Sequence, residues 1–195
     1  DIPPTLKKRI GGVKYTDYAL KHFFELAKQQ EWYKNTLFVI VADHCASSAG
    51  STELPLDGYR IPCFIYADFI TPKKVDTLVS QIDVMPTVLG LLNFEYTSKF
   101  IGQDVFSGHY TPRAYIATYQ DLGYLSPTHL TIVSPLNKIR QYQLLPEAEQ
   151  PAKDYPLFYE QQAQTPTGQE VKECISAYQA TSHWLKKQQL NAVKK

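Results

Sequence analysis

The feature of this sequence that most constrains its fold is a short apolar run at residues 37–42, which ends directly at Asp43 and His44. The run, LFVIVA, is too short to span a bilayer, and its β-branched residues favour a strand that is buried on both faces. In an open α/β sheet, ligands bind at the carboxyl ends of the strands. The sequence therefore predicts a buried strand whose carboxyl end presents a carboxylate and an imidazole.

The segments on either side of this strand predict an α/β domain. Apolar positions recur at helical spacing over about residues 13–31, and residues 61–67 (IPCFIYA) form a second short apolar run. We expect residues 75–92 to carry another helix, with Asp83, Pro86 and Thr87 near its start. Asp83 would support the first turn, because acidic groups are favoured there. This order of elements is typical of a mostly parallel sheet flanked by helices.

The pattern changes after residue 106. Four short runs separated by Gly, Pro and Asn predict an antiparallel meander, at residues 114–119, 122–125, 130–133 and 139–144. An apolar stripe over residues 171–185 predicts a C-terminal helix. We therefore expect residues 107–195 to form a small antiparallel sheet and a C-terminal helix, appended to residues 1–106 within the same domain.

The composition is that of an ordinary globular protein. Of the 195 residues, 44% are hydrophobic and 20% are charged, which excludes a disordered chain. A formal net charge of +1 gives no electrostatic basis for binding nucleic acid or an anionic membrane surface. The three cysteines are too few and too scattered for a disulfide framework. The sequence shows no signal peptide and begins without Met, so it could be a piece of a longer protein.

Asp43 and His44 are the strongest candidates for chemistry. A carboxylate beside a neutral imidazole supplies half of a site for Zn²⁺ or Mn²⁺, and one or two further ligands must come from elsewhere in the fold. The alternative is that Asp43 caps a turn and His44 is an ordinary loop histidine. Cys45 could also serve as a ligand or nucleophile, although a thiol that packs within the loop fits the sequence as well.

Four motifs occur in a fixed order around this pair: VADH at residues 41–44, YRIPCFIYA at 59–67, SQIDVMPTVL at 80–89 and GQDVF at 102–106. Each motif is weak alone, but their succession and spacing are specific. The succession resembles the C-terminal half of the sulfatase domain in the alkaline phosphatase superfamily, most closely the lipoteichoic acid synthase-like phosphoglycerol transferases. Residues 1–106 would then be the C-terminal part of that catalytic domain.

The resemblance implies an alkaline phosphatase-like α/β fold and a metal-dependent phospho- or sulfo-ester enzyme. In such enzymes the Asp-His pair binds a divalent cation (Mn²⁺, Zn²⁺, Mg²⁺ or Ca²⁺), which also touches a nucleophile, normally a threonine. The nucleophile and an acidic ligand come from the N-terminal half of the domain, and we do not find them in this sequence. We therefore expect the chain to be inactive alone and to need the missing half as its partner. Removal of the earlier strands would uncover apolar sheet surface, through which the chain could form a homo-oligomer.

Several polar residues are secondary candidates, each with a plain structural alternative. Ser47 and Ser48 could donate hydrogen bonds to a substrate phosphate, or they belong to a solvated loop. Arg60 could pair with the same anion, or it packs over a neighbouring side chain. His109 and His129 could supply a distant metal ligand, although surface histidines are the simpler interpretation.

The resemblance also implies a substrate class and a location. The substrate would be an anionic lipid head group or a phosphorylated or sulfated glycan, and the parent would be a bacterial membrane protein with this domain in the periplasm or at the cell surface. The competing hypothesis is a non-catalytic module that keeps the fold and uses its loop face to bind a partner or a glycan.

Overall fold

The structure is a computed structural model that describes residues 8–45, 54, 56–144, 162–166 and 168–187. Three α-helices are present in these residues: α1 (Lys8–Ala27), α2 (Val84–Leu91) and α3 (Gly168–Lys186). The strands are β1 (Phe38–Val41), β2 (Cys63–Tyr66), β3 (Ala114–Ala117), β4 (Leu122–Leu125), β5 (His129–Ser134), β6 (Lys138–Gln143) and β7 (Gln162–Gln164). The chain divides into two compact units, the first of residues 1–41 and 62–73 and the second of residues 42–61 and 74–195.

The first unit contains α1 and a hairpin-like sheet of β1 and β2. The two strands are antiparallel, with Phe38 opposite Tyr66 and Val41 opposite Cys63. The ring of Phe24 on α1 contacts both Phe38 and Tyr66, at centroid separations of 5.1 and 5.7 Å. Aromatic edge-to-face contacts of this kind pack the helix on the sheet.

Two expectations for this region are wrong in the described residues. Strands β1 and β2 pair antiparallel, and so do the strand pairs described in the second unit, whereas we expected a mostly parallel sheet. Strand β1 is also not buried on both faces, because Val39 and Val41 are 39% and 38% exposed.

The second unit is built on a five-stranded antiparallel sheet in the order β3-β4-β5-β6-β7. The strands predicted over residues 114–144 are confirmed as β3 to β6, and the C-terminal helix is confirmed as α3. Side chains alternate between the two faces of a strand. One face therefore carries Ile116, Leu130 and Ile132, which form the core of this unit with Leu54 and Leu56.

The other face of this sheet is covered by α3 through polar contacts. Glu170 accepts hydrogen bonds from Thr131 and Gln141, both of which are buried. Glu173 accepts a hydrogen bond of 2.6 Å from the hydroxyl of Tyr124. Buried polar groups are stable when they are paired in this way. The helix is therefore held in register by specific carboxylates and not only by its apolar stripe.

Helix α2 lies within the predicted segment 75–92 and begins next to Asp83, which the sequence placed near the helix start. Residues 75–80 are not helical, and a 3-10 turn at Gln81–Asp83 precedes the helix. Ser80 has extended backbone dihedrals and forms a reciprocal capping box with Asp83, which is a signal for a helix start. Asp83 therefore supports the 3-10 turn that leads into α2, rather than the first turn of α2 itself. The boundary at residue 106 stays a prediction.

Candidate metal centre

Asp43 and His44 lie in the second unit, in the loop that follows β1 in the sequence. The backbone N–H of His44 donates to Oδ1 of Asp43 over 2.9 Å. The second carboxylate oxygen, Oδ2, lies 3.5 Å from Nε2 of His44. Both side chains are open to solvent, with 88% of Asp43 and 78% of His44 exposed. The two candidate ligands therefore point to the same place and are accessible.

The orientation of the His44 ring is set by its other nitrogen. Nδ1 lies 2.7 Å from the carbonyl oxygen of Cys45. A carbonyl oxygen only accepts hydrogen bonds, so in the neutral ring Nδ1 carries the proton and Nε2 carries the free lone pair. Metal-binding histidines characteristically donate their second N–H to a carbonyl or carboxylate in this way. The lone pair of His44 is thus available beside the carboxylate of Asp43.

This geometry fits a divalent cation. Nitrogen and oxygen ligands lie about 2.0–2.2 Å from zinc, and two such donors at a tetrahedral angle are about 3.4 Å apart. The observed separation of 3.5 Å between His44 Nε2 and Asp43 Oδ2 agrees with that value. Within the described part of the chain, no group of three or more His, Cys, Asp or Glu side chains could hold a metal. The pair therefore fits as half of a site.

Two side-chain hydrogen bonds hold the backbone on either side of the pair. The side-chain amide of Gln81 donates to the carbonyl oxygen of Ala42 over 3.2 Å. The thiol of Cys45 donates to the carbonyl oxygen of Arg60 over 2.8 Å. Arg60 is exposed, and this contact places its backbone next to the loop. The structure thus brings Arg60 into the neighbourhood of Asp43 and His44.

A buried ion pair lies two residues after Gln81. The carboxylate of Asp83 accepts two hydrogen bonds of 2.8 Å from the guanidinium of Arg113. It also accepts hydrogen bonds from the backbone N–H groups of Ser80 and Gln103 and from the hydroxyl of Tyr110. Asp83 is fully buried and Arg113 is 3% exposed. A buried carboxylate with this many donors is compensated for its loss of solvation.

The pKa values around the ion pair follow from its charges. Burial alone would lower the pKa of Arg113, but the hydrogen bonds and charge of Asp83 outweigh it and raise that pKa. Burial, followed by the charge of Asp83, raises the pKa of Tyr110 to about 12. Arg113 therefore stays cationic and Tyr110 neutral at physiological pH.

The structure separates the remaining candidates from the pair. His109 is exposed, and His129 lies beside Thr128 and Glu170 at the start of β5. Neither histidine joins Asp43 and His44 in a group of three ligands in the described residues. Ser47 and Ser48 lie outside the described residues.

Sequence reasoning missed two residues that shape this region. Arg113 neutralises Asp83 from 30 residues away, and Gln81 contacts Ala42 across 39 residues. Gln81 stands in the quoted motif SQIDVMPTVL, but nothing in the motif shows what its amide contacts. Only proximity in the fold reveals either partner.

Comparisons with known proteins agree with the motifs. Residues 4–94 match the family model described as Sulfatase. A protein of Bacillus subtilis described as lipoteichoic acid synthase-like YvgJ is 32% identical over 127 residues, which are 56% of this chain and 21% of the relative. Lipoteichoic acid synthase 2 of the same organism is 23% identical over 150 residues, which are 69% of this chain and 23% of the relative. The chain thus spans about a fifth of the length of these curated relatives.

A solved structure shows the same fold. A protein in the alkaline phosphatase superfamily from Vibrio parahaemolyticus matches with a TM-score of 0.84 and 24% identity, covering 99% of this chain and 45% of that chain. The predicted resemblance to a sulfatase-type domain of this superfamily and the alkaline phosphatase-like α/β fold are therefore confirmed.

Proposed function

We propose that this chain, which has the sulfatase-type fold of the alkaline phosphatase superfamily, is part of a metal-dependent enzyme that acts on phosphate or sulfate esters. The observation that carries the proposal is the arrangement of His44 and Asp43. The ring is oriented through Nδ1 by a backbone carbonyl, and Nε2 lies 3.5 Å from a carboxylate oxygen. Both side chains are exposed, as ligands must be if the rest of the site is to reach them.

In this proposal Asp43 Oδ2 and His44 Nε2 hold a divalent cation (Mn²⁺, Zn²⁺, Mg²⁺ or Ca²⁺). When bound, such a cation acts as a Lewis acid and offsets the charge that develops on the transferring phosphoryl or sulfuryl group. The exposed Arg60 stands near the loop and pairs with the anionic ester. Ser47 and Ser48, outside the described residues, donate further hydrogen bonds to it.

In this proposal the nucleophile is supplied by the N-terminal half of the domain and not by this chain. We do not assign this role to Cys45, whose thiol donates a hydrogen bond to the carbonyl oxygen of Arg60. The chain by itself is therefore inactive in this proposal. It contributes two metal ligands and part of the substrate-binding surface.

The partner in this proposal is the N-terminal half of the same domain. The structural relative is about twice as long as the region it shares with this chain. In the first unit, an open apolar cavity of about 420 Å³ lies between α1 and β1, lined by Leu20, Phe23, Phe24, Phe38, Val39, Ile40 and Val41. A two-stranded sheet is marginally stable in isolation, and apolar surface of this kind marks an interface. In the intact domain, further strands would cover this apolar surface. Without those strands, a second copy of the chain would cover it.

The substrate class and location follow from the same comparisons. We assign an anionic lipid head group or a phosphorylated or sulfated glycan as substrate, since two relatives are described as a lipoteichoic acid synthase or as similar to one. The domain would act outside the cytoplasm, in a parent anchored in the bacterial inner membrane. Among the described residues, no helix is both long enough and apolar enough to cross a membrane.

The first test is metal binding by the 195-residue chain. Mn²⁺ titrated into the protein and followed by electron paramagnetic resonance should bind weakly, because two ligands give little affinity. Asp43→Ala and His44→Ala should each remove this binding. Asp76→Ala and His22→Ala, which change an exposed aspartate and an exposed histidine elsewhere, should not. Tight stoichiometric binding that survives both loop substitutions would contradict the assignment.

The second test is catalysis. The chain should not hydrolyse aryl phosphate or aryl sulfate esters when Mn²⁺, Zn²⁺, Mg²⁺ or Ca²⁺ is added. In the intact parent, Asp43→Ala or His44→Ala should abolish turnover and leave the fold, measured by circular dichroism, largely unchanged, since exposed loop ligands contribute little packing. Turnover by the isolated chain that disappears in His44→Ala would show that it carries its own nucleophile. A non-catalytic binding module would show neither metal dependence nor turnover in the intact parent.

A further inference from the structure

The proposed ligands have little packing of their own. The side chains of Asp43 and His44 are 88% and 78% exposed, so they are not held by burial. Their hydrogen bonds to each other and to Cys45 are local to the loop. The direction in which the pair points must therefore come from the backbone on which it is mounted.

The backbone immediately before the pair is held by Gln81. Its side-chain amide donates to the carbonyl oxygen of Ala42 over 3.2 Å. The peptide unit is planar, so a contact that fixes this carbonyl also fixes the backbone nitrogen of Asp43. The side chain of Gln81 thus fixes the peptide plane between Ala42 and Asp43, the first of the two ligands.

Gln81 is itself mounted on a rigid part of the second unit. It opens the turn between Ser80 and α2, and the capping box of Ser80 and Asp83 determines the shape of that turn. Asp83 is fully buried in its bidentate pair with Arg113. The hydrogen bond from Gln81 therefore connects an exposed loop to a turn that ends at a fully buried ion pair.

We propose that Gln81 is a positioning residue for the Asp43–His44 pair, and this inference rests on the metal-binding function proposed above. Gln81 touches neither the metal nor the substrate. It holds the Ala42 carbonyl so that Asp43 Oδ2 and His44 Nε2 stay at the separation that one cation requires. Substitution of groups that support metal ligands indirectly commonly weakens metal affinity about 10- to 100-fold.

The test compares two glutamine substitutions in the full 195-residue chain. Gln81→Met keeps the length of the side chain and removes its donor. Gln29→Met is the matched control, because Gln29 is also exposed and its amide donates over 3.1 Å to a backbone carbonyl, that of Glu25. Asp43→Ala reports whether Mn²⁺ binds at the pair. The readouts are ¹⁵N order parameters of the Asp43 and His44 amides without metal, the Mn²⁺ dissociation constant, and the melting temperature.

We expect Gln81→Met to lower both order parameters and to weaken Mn²⁺ binding at least about tenfold, with a melting temperature equal to that of Gln29→Met. Unchanged order parameters in Gln81→Met would overturn the inference. Unchanged Mn²⁺ affinity in Gln81→Met would also overturn it, provided that Asp43→Ala removes Mn²⁺ binding. If Mn²⁺ binding is absent or ignores Asp43, the proposed metal function fails, and the order parameters alone decide whether Gln81 holds the loop.

Discussion

The buried ion pair of Asp83 and Arg113 allows the sharpest prediction about stability. Asp83→Asn removes the negative charge but keeps the size of the side chain. Arg113, which is 3% exposed, would then be a buried cation without its counter-charge. The amide that replaces one carboxylate oxygen would also direct N–H groups at the donors that now surround it, among them Ser80 N–H and Arg113.

The magnitude follows from the burial of both partners. Removal of one member of a buried ion pair costs about 3–5 kcal/mol, and the whole stability of a typical protein is about 5–15 kcal/mol. With a urea dependence of about 2 kcal/mol per molar, the unfolding midpoint should fall by about 2 M. Urea unfolding followed by circular dichroism measures this shift directly.

The matched control is an exposed ion pair of similar length. Lys74 and Asp76 lie 2.7 Å apart with side chains 85% and 72% exposed, so Asp76→Asn should leave the midpoint unchanged. The double substitution Asp83→Asn with Arg113→Met should cost less than the sum of the single changes, because no unpaired buried charge remains. A midpoint shift for Asp83→Asn no larger than that of the control, or strict additivity in the double variant, would refute the reasoning.

Two further predictions concern other parts of the second unit. Burial raises the pKa of the Cys174 thiol to about 11 from the usual 9.0, so folding favours the neutral thiol. The stability that this gives is fully present below about pH 9. It falls by about 2–3 kcal/mol as the pH rises to about 11. Urea unfolding at pH 8 and pH 11 should show this loss, and Cys174→Ala should lose less over the same interval; an equal loss in both would assign the effect to other groups. Gly102→Ala should lower the melting temperature strongly because its Cβ would lie 1.9 Å from the carbonyl oxygen of Ile82, whereas Gly108→Ala, which has open space around it, should have little effect. Equal melting temperatures for the two glycine variants would contradict the close approach.

Local signals in the sequence located several of these features. The apolar run before Asp43 identified β1, and alternation with turn residues identified β3 to β6. The carboxylate of Asp83 was assigned to the start of a helix, and it does form a capping box with Ser80. These features depend on residues within a few positions of one another, so their physical causes can be read from a short window.

Other features were decided by tertiary structure. Strands β1 and β2 pair antiparallel, and an apolar run alone does not reveal the direction of its neighbouring strand. Burial on both faces was expected of β1 from its composition, but burial depends on what covers the strand.

The candidate metal centre also combines features that the sequence reveals with features that only the fold reveals. Asp43 and His44 were identified because adjacent ligands after a strand are visible in the sequence. The sequence did not reveal three other features: the ring orientation of His44, the contact of Gln81 with Ala42 and the neutralisation of Asp83 by Arg113. The last two depend on partners 39 and 30 residues away. Bringing residues that are distant in sequence together costs conformational entropy, and no short-range signal marks the pair. Such contacts therefore form only when the packing of the whole unit brings the groups within hydrogen-bonding distance.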